Sequence, residues 1–230
     1  MNECLMCGRR LGQKVTWDWL LSFASIDRSC VCDKCMGRFR RIDPGTACPG
    51  CGRSMPGRRL CDDCVRWKNS GCSLICNRAL YEYDVNMKEY ITRYKFMGDY
   101  RYRLVFSNLM RQFVSAAAGE GRVVVAVPVD QETFDRTRGF NQVEGWLEGM
   151  QFAEWLEMRQ RKGRLKQSHK NRAMRMQTKQ PFLYTGPESL DGQRILLVDD
   201  IYTTGRTLYH AKALFEAAGA ESVISVTLAR

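Results

Sequence analysis

Apolar positions in this chain fall into two rhythms. Residues 122–129 read RVVVAVPV, an unbroken β-branched run that predicts a strand buried on both faces. RILLVDD (194–200) and SVISVTLA (222–229) have the same character and predict two more. RALYEYD, starting at residue 78, reads as a fourth strand. Between the strands the spacing becomes helical. Met87, Tyr90, Ile91, Tyr94 and Met97 recur at helical intervals and predict a helix over 86–100, with a second over 101–118 ended by Gly119. NQVEGWLEGMQFAEWLEMR predicts a helix over 141–159, and RTLYHAKALFEAAGA one over 206–220 with Gly219 at its C-cap. Strands alternating with helices predict an α/β fold on a parallel sheet. Ligands in such sheets sit at the carboxyl ends of the strands.

Residues 1–70 lack these rhythms and are rich in Cys, Gly and Arg. WDWLLSF (17–23) predicts one apolar turn, and the rest reads as loops stapled by metal, since so short a segment has little core of its own. The expected division is a Cys-rich zinc-binding domain over 1–70 and an α/β domain over 78–230. All eleven cysteines precede residue 77, and eight form Cys-x-x-Cys pairs: Cys4/Cys7, Cys32/Cys35, Cys48/Cys51 and Cys61/Cys64. Disulfides fit poorly with a chain whose other two thirds has no cysteine. Zinc takes four thiolates in a tetrahedron, and each Cys-x-x-Cys turn supplies two, so four pairs match two zinc sites. Pairing in sequence order gives Cys4, Cys7, Cys32, Cys35 and Cys48, Cys51, Cys61, Cys64. An interleaved cross-brace stays open, Cys30 is a competing ligand, and Cys72 and Cys76 read as spare thiols.

No apolar run is long enough to span a bilayer. MNECLMCGRR lacks the basic and apolar regions of a secretory signal, so a cytoplasmic protein is expected. The formal net charge is +11. Each fully thiolate zinc site carries about −2, which leaves the chain basic and suggests a polyanionic partner. Residues 158–179 hold nine Lys and Arg and no acid. Arg159, Arg161, Lys162, Arg164, Lys166, Lys170, Arg172 and Arg175 predict either a basic flap over an anion site or a groove for single-stranded nucleic acid; a merely solvated loop is the plainer reading.

The chemistry concentrates in ILLVDDIYTTGRTL, residues 195–208. The strand ends at Asp199 and Asp200, and a helix starts near Gly205 or Arg206. Amides at a helix start have no intrahelical partner and lie at the positive end of the dipole. Thr203, Thr204 and Thr207 add hydroxyls, and Gly205 allows close backbone approach, which makes a phosphate cradle. It is not a Walker loop, since no G-x-x-x-x-G-K occurs. Two carboxylates would repel a phosphate unless hydroxyls lay between. A ribose 5-phosphate meets this condition, with its phosphate in the loop and its 2- and 3-hydroxyls donating to the acids; the simpler alternative is that the acids only cap the helix. RTRGFNQ (136–142) follows a buried strand and so reaches the same rim. Arg136 and Arg138 there suit a pyrophosphate, Gly139 gives room, and Asn141 is a good helix cap. Lys95, in KFMGD, is a further cationic candidate.

ILLVDDIYTTGRTL resembles the signature of type I phosphoribosyltransferases that binds 5-phosphoribosyl 1-pyrophosphate (PRPP). The resemblance implies that Asp199 and Asp200 contact ribose hydroxyls at the catalytic centre. It implies that Thr203, Thr204, Gly205, Arg206 and Thr207 wrap the 5-phosphate, with Mg²⁺ accompanying PRPP. A multi-Cys head followed in order by YKFMGDY (94–100), VPV (127–129), RTRGFNQ and the Asp-Asp stretch resembles the ComF-type late-competence proteins over nearly the whole chain. That resemblance implies a phosphoribosyltransferase-like parallel sheet with an N-terminal zinc-binding segment. It also implies a role in DNA uptake during natural transformation, with single-stranded DNA, the competence helicase ComFA and the mediator DprA as partners. The alternative is an active phosphoribosyltransferase of nucleotide metabolism or salvage, in which cations hold the departing pyrophosphate while an oxocarbenium-like ribose reacts.

Overall fold

The computed structural model describes residues 3–12, 30–130, 134–135, 139–159 and 180–230. The turn predicted at 17–23, Arg136, Arg138, and the basic run from Arg161 through Lys162, Arg164, Lys166, Lys170, Arg172 and Arg175 lie outside the described residues. Six strands are described: β1 (Asn77–Tyr81), β2 (Arg122–Ala126), β3 (Leu156–Met158), β4 (Phe182–Tyr184), β5 (Arg194–Ile201) and β6 (Ser222–Ala229). The α-helices among the described residues are α1 (Asp33–Met36), α2 (Asp62–Asn69), α3 (Val85–Ile91), α4 (Ser107–Ala118), α5 (Gln142–Trp146) and α6 (Arg206–Ala217). Four strands form one all-parallel sheet in the order β1–β6–β5–β2, and β3 pairs antiparallel with β4. The architecture is therefore the α/β fold on a parallel sheet expected from the sequence.

β5 is central, and its six residues from Ile195 to Asp200 are all buried. Side chains alternate across a strand. Leu196 and Val198 join a core with Tyr90, Phe106, Met110 and Trp146, whereas Ile195 and Leu197 join one with Phe182, Leu208 and Phe215. The cysteine-rich segment divides between the two. Cys4 and Cys35 belong to the first core; Cys48, Cys51, Cys61 and Cys64 belong to the second. Buried Asn77 of β1 ties the second group to the sheet: its Nδ2 donates to the Cys51 carbonyl and to Thr227 Oγ1, both at 3.1 Å, and its Oδ1 accepts from Ser225.

α6 ends close to where its sequence predicts. Gly219 takes φ +92°, its amide donates to the Glu216 carbonyl, and Ala220 donates to Phe215, a Schellman closure. The helix predicted over 86–100 is interrupted: α3 passes into a π turn over Thr92–Phe96, and a 3-10 turn covers Tyr100–Val105 before α4. The helix predicted over 141–159 is corrected more heavily. Only Gln142–Trp146 is helical; Gly149 adopts φ +84°, and Ala153 then bridges Val125 at the edge of β2 before the chain enters β3. The apolar positions that mimic a helical stripe serve two elements instead. Trp146 fills the first core and Leu156 the second, so the chain must cross between them.

Candidate functional site

The carboxyl end of β5 sets the geometry. Alternation along the strand sends Asp199 and Asp200 to opposite faces. Both are buried, at 8% and 6% exposure. Asp200 lies on the face of α3 and α5, where its carboxylate pairs with Lys95 from the π turn and accepts a 2.7 Å hydrogen bond from Gln142 Nε2. Its other oxygen accepts from the Ile201 amide at 2.6 Å. Among the described residues, Asp199 accepts the Asp200 amide at 2.8 Å. Burial, then the adjacent Asp200 charge, pushes the Asp199 carboxyl up to about 7. Tyr83 is also raised, by burial and then by Asp200. Lys95 is thus brought to the aspartates by a π turn, an irregularity frequent at functional positions.

Beyond Ile201 the chain turns through Tyr202, Thr203 and Thr204 to Gly205, which stands at φ +78° as the N-cap of α6. A Cβ at Gly205 would lie 2.2 Å from the Tyr202 hydroxyl, so only glycine fits. Three consecutive carbonyls in this turn are held from below. Arg230 Nη1 donates to Tyr202 O at 3.2 Å and to Thr203 O at 3.0 Å, and the Trp67 indole N–H donates to Thr204 O at 3.1 Å. A trans peptide sets each N–H opposite the preceding C=O. The amides of Thr203, Thr204 and Gly205 therefore face away from Trp67 and Arg230, and no described residue accepts a hydrogen bond from them. Thr203 and Thr207 are exposed. Arg206 opens α6 with its Nε 3.3 Å from His210 Nε2, and burial lowers its pKa.

The RTRGFNQ stretch is described in part. Gly139 has φ +66° with open space where a Cβ would stand. Asn141 caps α5 by accepting the Val143 amide at 2.9 Å, and its Nδ2 donates to the Val127 carbonyl and to Glu144. It fixes the end of β2 against α5 and so delivers Gln142 to Asp200. Arg159 donates its Nε to the Phe182 carbonyl at 3.0 Å, beside the β3–β4 pair. Sequence reasoning missed Gln142, Trp67 and Arg230. Gln142 sits inside a stretch already singled out, and Trp67 lies three residues after a Cys-x-x-Cys pair. Arg230, one residue past β6, carries no local signal.

Among the described residues the cysteines gather in sequence order. Cys4, Cys7, Cys32 and Cys35 form one group, and Cys48, Cys51, Cys61 and Cys64 the other, each with its sulfurs within 4.8 Å of one another. None of the eight is in a disulfide. Sγ separations are 3.8 Å for Cys7–Cys32, 3.7 Å for Cys48–Cys64 and 3.5 Å for Cys51–Cys61. Four thiolates at ~2.3 Å from one zinc ion stand about 3.8 Å apart, so both groups fit tetrahedral zinc. The Cys51 thiol is drawn down to about 4, chiefly by the Cys64 hydrogen bond and with help from Arg230, toward the thiolate that a metal requires. Cys30 stands outside both groups.

This geometry meets the comparisons with known proteins. A model of the phosphoribosyl transferase domain matches residues 156–230, which run from β3 through the Asp-Asp turn to the end of the chain. Fold and match together define a phosphoribosyltransferase-like protein carrying two four-cysteine groups. The chain is 35% identical to the competence protein ComFC of Streptococcus pneumoniae over 228 residues, covering 99% of this chain and 100% of that one. It is 34% identical to ComFC of Bacillus subtilis over 232 residues, covering 99% and 94%. The chain belongs to the ComFC family of competence proteins. No helix among the described residues is long and apolar enough to cross a membrane.

Proposed function

We propose that this competence protein acts in DNA uptake, binding PRPP or a related phosphoribosyl ligand with Mg²⁺ at the end of β5 and handling single-stranded DNA beside it. The observation that supports this best is the turn after β5, where three amides without an acceptor among the described residues face away from Trp67 and Arg230, beside two buried carboxylates. In this reading the 5-phosphate takes the amides of Thr203, Thr204 and Gly205 and the hydroxyls of Thr203, Thr204 and Thr207. Arg206 adds charge at the start of α6. The ribose diol donates to Asp199 and Asp200, and at Asp200 it shares the carboxylate with Lys95 and Gln142. Mg²⁺ is carried by pyrophosphate and ribose oxygens. Arg136 and Arg138 serve the pyrophosphate, with Gly139 leaving room.

Residues 1–70 form the zinc-binding part and 78–230 the ligand domain. Arg159, Arg161, Lys162, Arg164, Lys166, Lys170, Arg172 and Arg175 supply phosphate contacts to the nucleic acid. The relatives' role in competence supports placing the protein in the cytoplasm with ComFA and DprA as partners. Calorimetric titration with PRPP and Mg²⁺ tests the ligand. One binding event per chain is expected, abolished in the double variant Asp199→Asn/Asp200→Asn. Equal binding by that variant would remove the aspartates from the site.

A further inference from the structure

The undersurface of the phosphate turn is built by residues that belong to the second cysteine group. Helix α2 begins at its N-cap with Cys61 and carries Cys64 in its first turn; Trp67 follows one turn later on the same face. Trp67 does two things there. Its N–H holds the Thr204 carbonyl at 3.1 Å, and its ring stacks on Tyr209 of α6, centroids 4.0 Å apart and planes within 21°. Between the two cysteines of α2 lies Asp63, whose side chain is only 12% exposed. It accepts from Arg53 and Arg66 and stands 3.6 Å from Arg230 Nη2.

Arg230 completes the connection. Its side chain is 7% exposed, and its guanidinium lies over the Tyr202 ring at 4.8 Å while Nη1 holds the Tyr202 and Thr203 carbonyls. Nη2 is within ion-pair distance of Asp63, and Cys51 acts electrostatically on the same guanidinium. A zinc tetrathiolate at the second cysteine group, with its net charge of about −2, would favour this buried cation beside it.

The consequence concerns peptide orientation. A turn free to rotate its peptide planes presents carbonyl oxygens as readily as amides, and carbonyls repel a phosphate. Trp67 and Arg230 pin three successive carbonyls inward. We propose that Trp67 and Arg230, supported by Asp63 and the Cys48/Cys51/Cys61/Cys64 group, are positioning residues that hold the amides of Thr203, Thr204 and Gly205 outward for a phosphorylated ligand. The second cysteine group thereby governs the phosphate turn mechanically, through α2. This inference rests on the reading of that turn as a phosphate site.

The test uses the full-length, zinc-loaded protein and the variants Trp67→Phe, which keeps an aromatic ring against Tyr209 but removes the N–H donor, and Arg230→Met. Zinc content and thermal midpoint are checked first, and amide hydrogen exchange over 201–209 and PRPP–Mg²⁺ affinity are then measured. Both variants are expected to keep wild-type zinc content, to exchange faster at Tyr202 and Tyr209, whose amides bond the Ala229 and Gly205 carbonyls at the two ends of the turn, while residues 195–198 stay protected, and to bind PRPP about tenfold more weakly, the scale of one lost hydrogen bond. Partial zinc removal by a chelator is expected to raise exchange at the same two amides. Unchanged exchange at Tyr202 and Tyr209 in both variants overturns the proposal, as does wild-type PRPP affinity in both. Altered exchange in a protein whose wild type binds no PRPP would instead uphold the mechanical link and refute the ligand reading.

Discussion

At Asp199, burial and a neighbouring charge act directly on the chemistry of a candidate site residue. Its carboxyl is raised to about 7 because the folded protein withdraws it from water beside a second acid. A raised carboxyl favours folding below its unfolded value, near ~4, and that contribution disappears as pH rises through about 7. Asp199→Asn is therefore expected to raise the thermal midpoint relative to wild type at pH 8 and to change it little at about pH 3.5. An equal shift at both values would show that the carboxyl is not perturbed. Aspartates and threonines of the turn are legible in the sequence because their neighbours in the chain are also their neighbours in space. Lys95, Gln142 and Arg230 reach the same turn from distant points in the chain, and only tertiary packing reveals their partners.

The elements that carry the site are β5 and α6, and both are legible because each obeys one period throughout. β5 is buried on both faces, and α6 is bounded by Gly205 and by the Gly219 closure. The segment over 141–159 is not legible in this way. Its apolar residues serve both cores in succession, so a helical period is present with no single helix to produce it. α3 misleads for a related reason: a π turn shifts the register at Thr92–Phe96 and aims Lys95 at Asp200. The junction of β5 with α6 rests on Gly205. Gly205→Ala is expected to destabilise the protein by about 2 kcal/mol or more, from left-handed backbone strain and collision with Tyr202, measured by urea unfolding. A change below about 0.5 kcal/mol would mean that the turn relaxes freely.

At the scale of the whole molecule, the two cysteine groups each contribute to one of the two cores. Four Cys-x-x-Cys pairs announce two four-cysteine groups in the sequence, but the contact of the second with the turn after β5 depends on α2 and Arg230 meeting in space. Net charge belongs to this scale as well. Affinity for single-stranded DNA is expected to fall steeply with salt, with slope about −0.7 per phosphate neutralised, and to flatten when Arg159, Arg161, Lys162 and Arg164 are replaced by Gln. A slope unchanged by those substitutions would place the nucleic-acid contacts elsewhere. The central claim, a phosphoribose at the end of β5, is tested most directly by a crystal structure determined after soaking with PRPP and Mg²⁺. The 5-phosphate should lie within hydrogen-bond distance of the amides of Thr203, Thr204 and Gly205, with both ribose hydroxyls on Asp199 and Asp200. Density for the ligand elsewhere, with this turn vacant at saturating PRPP, would contradict it.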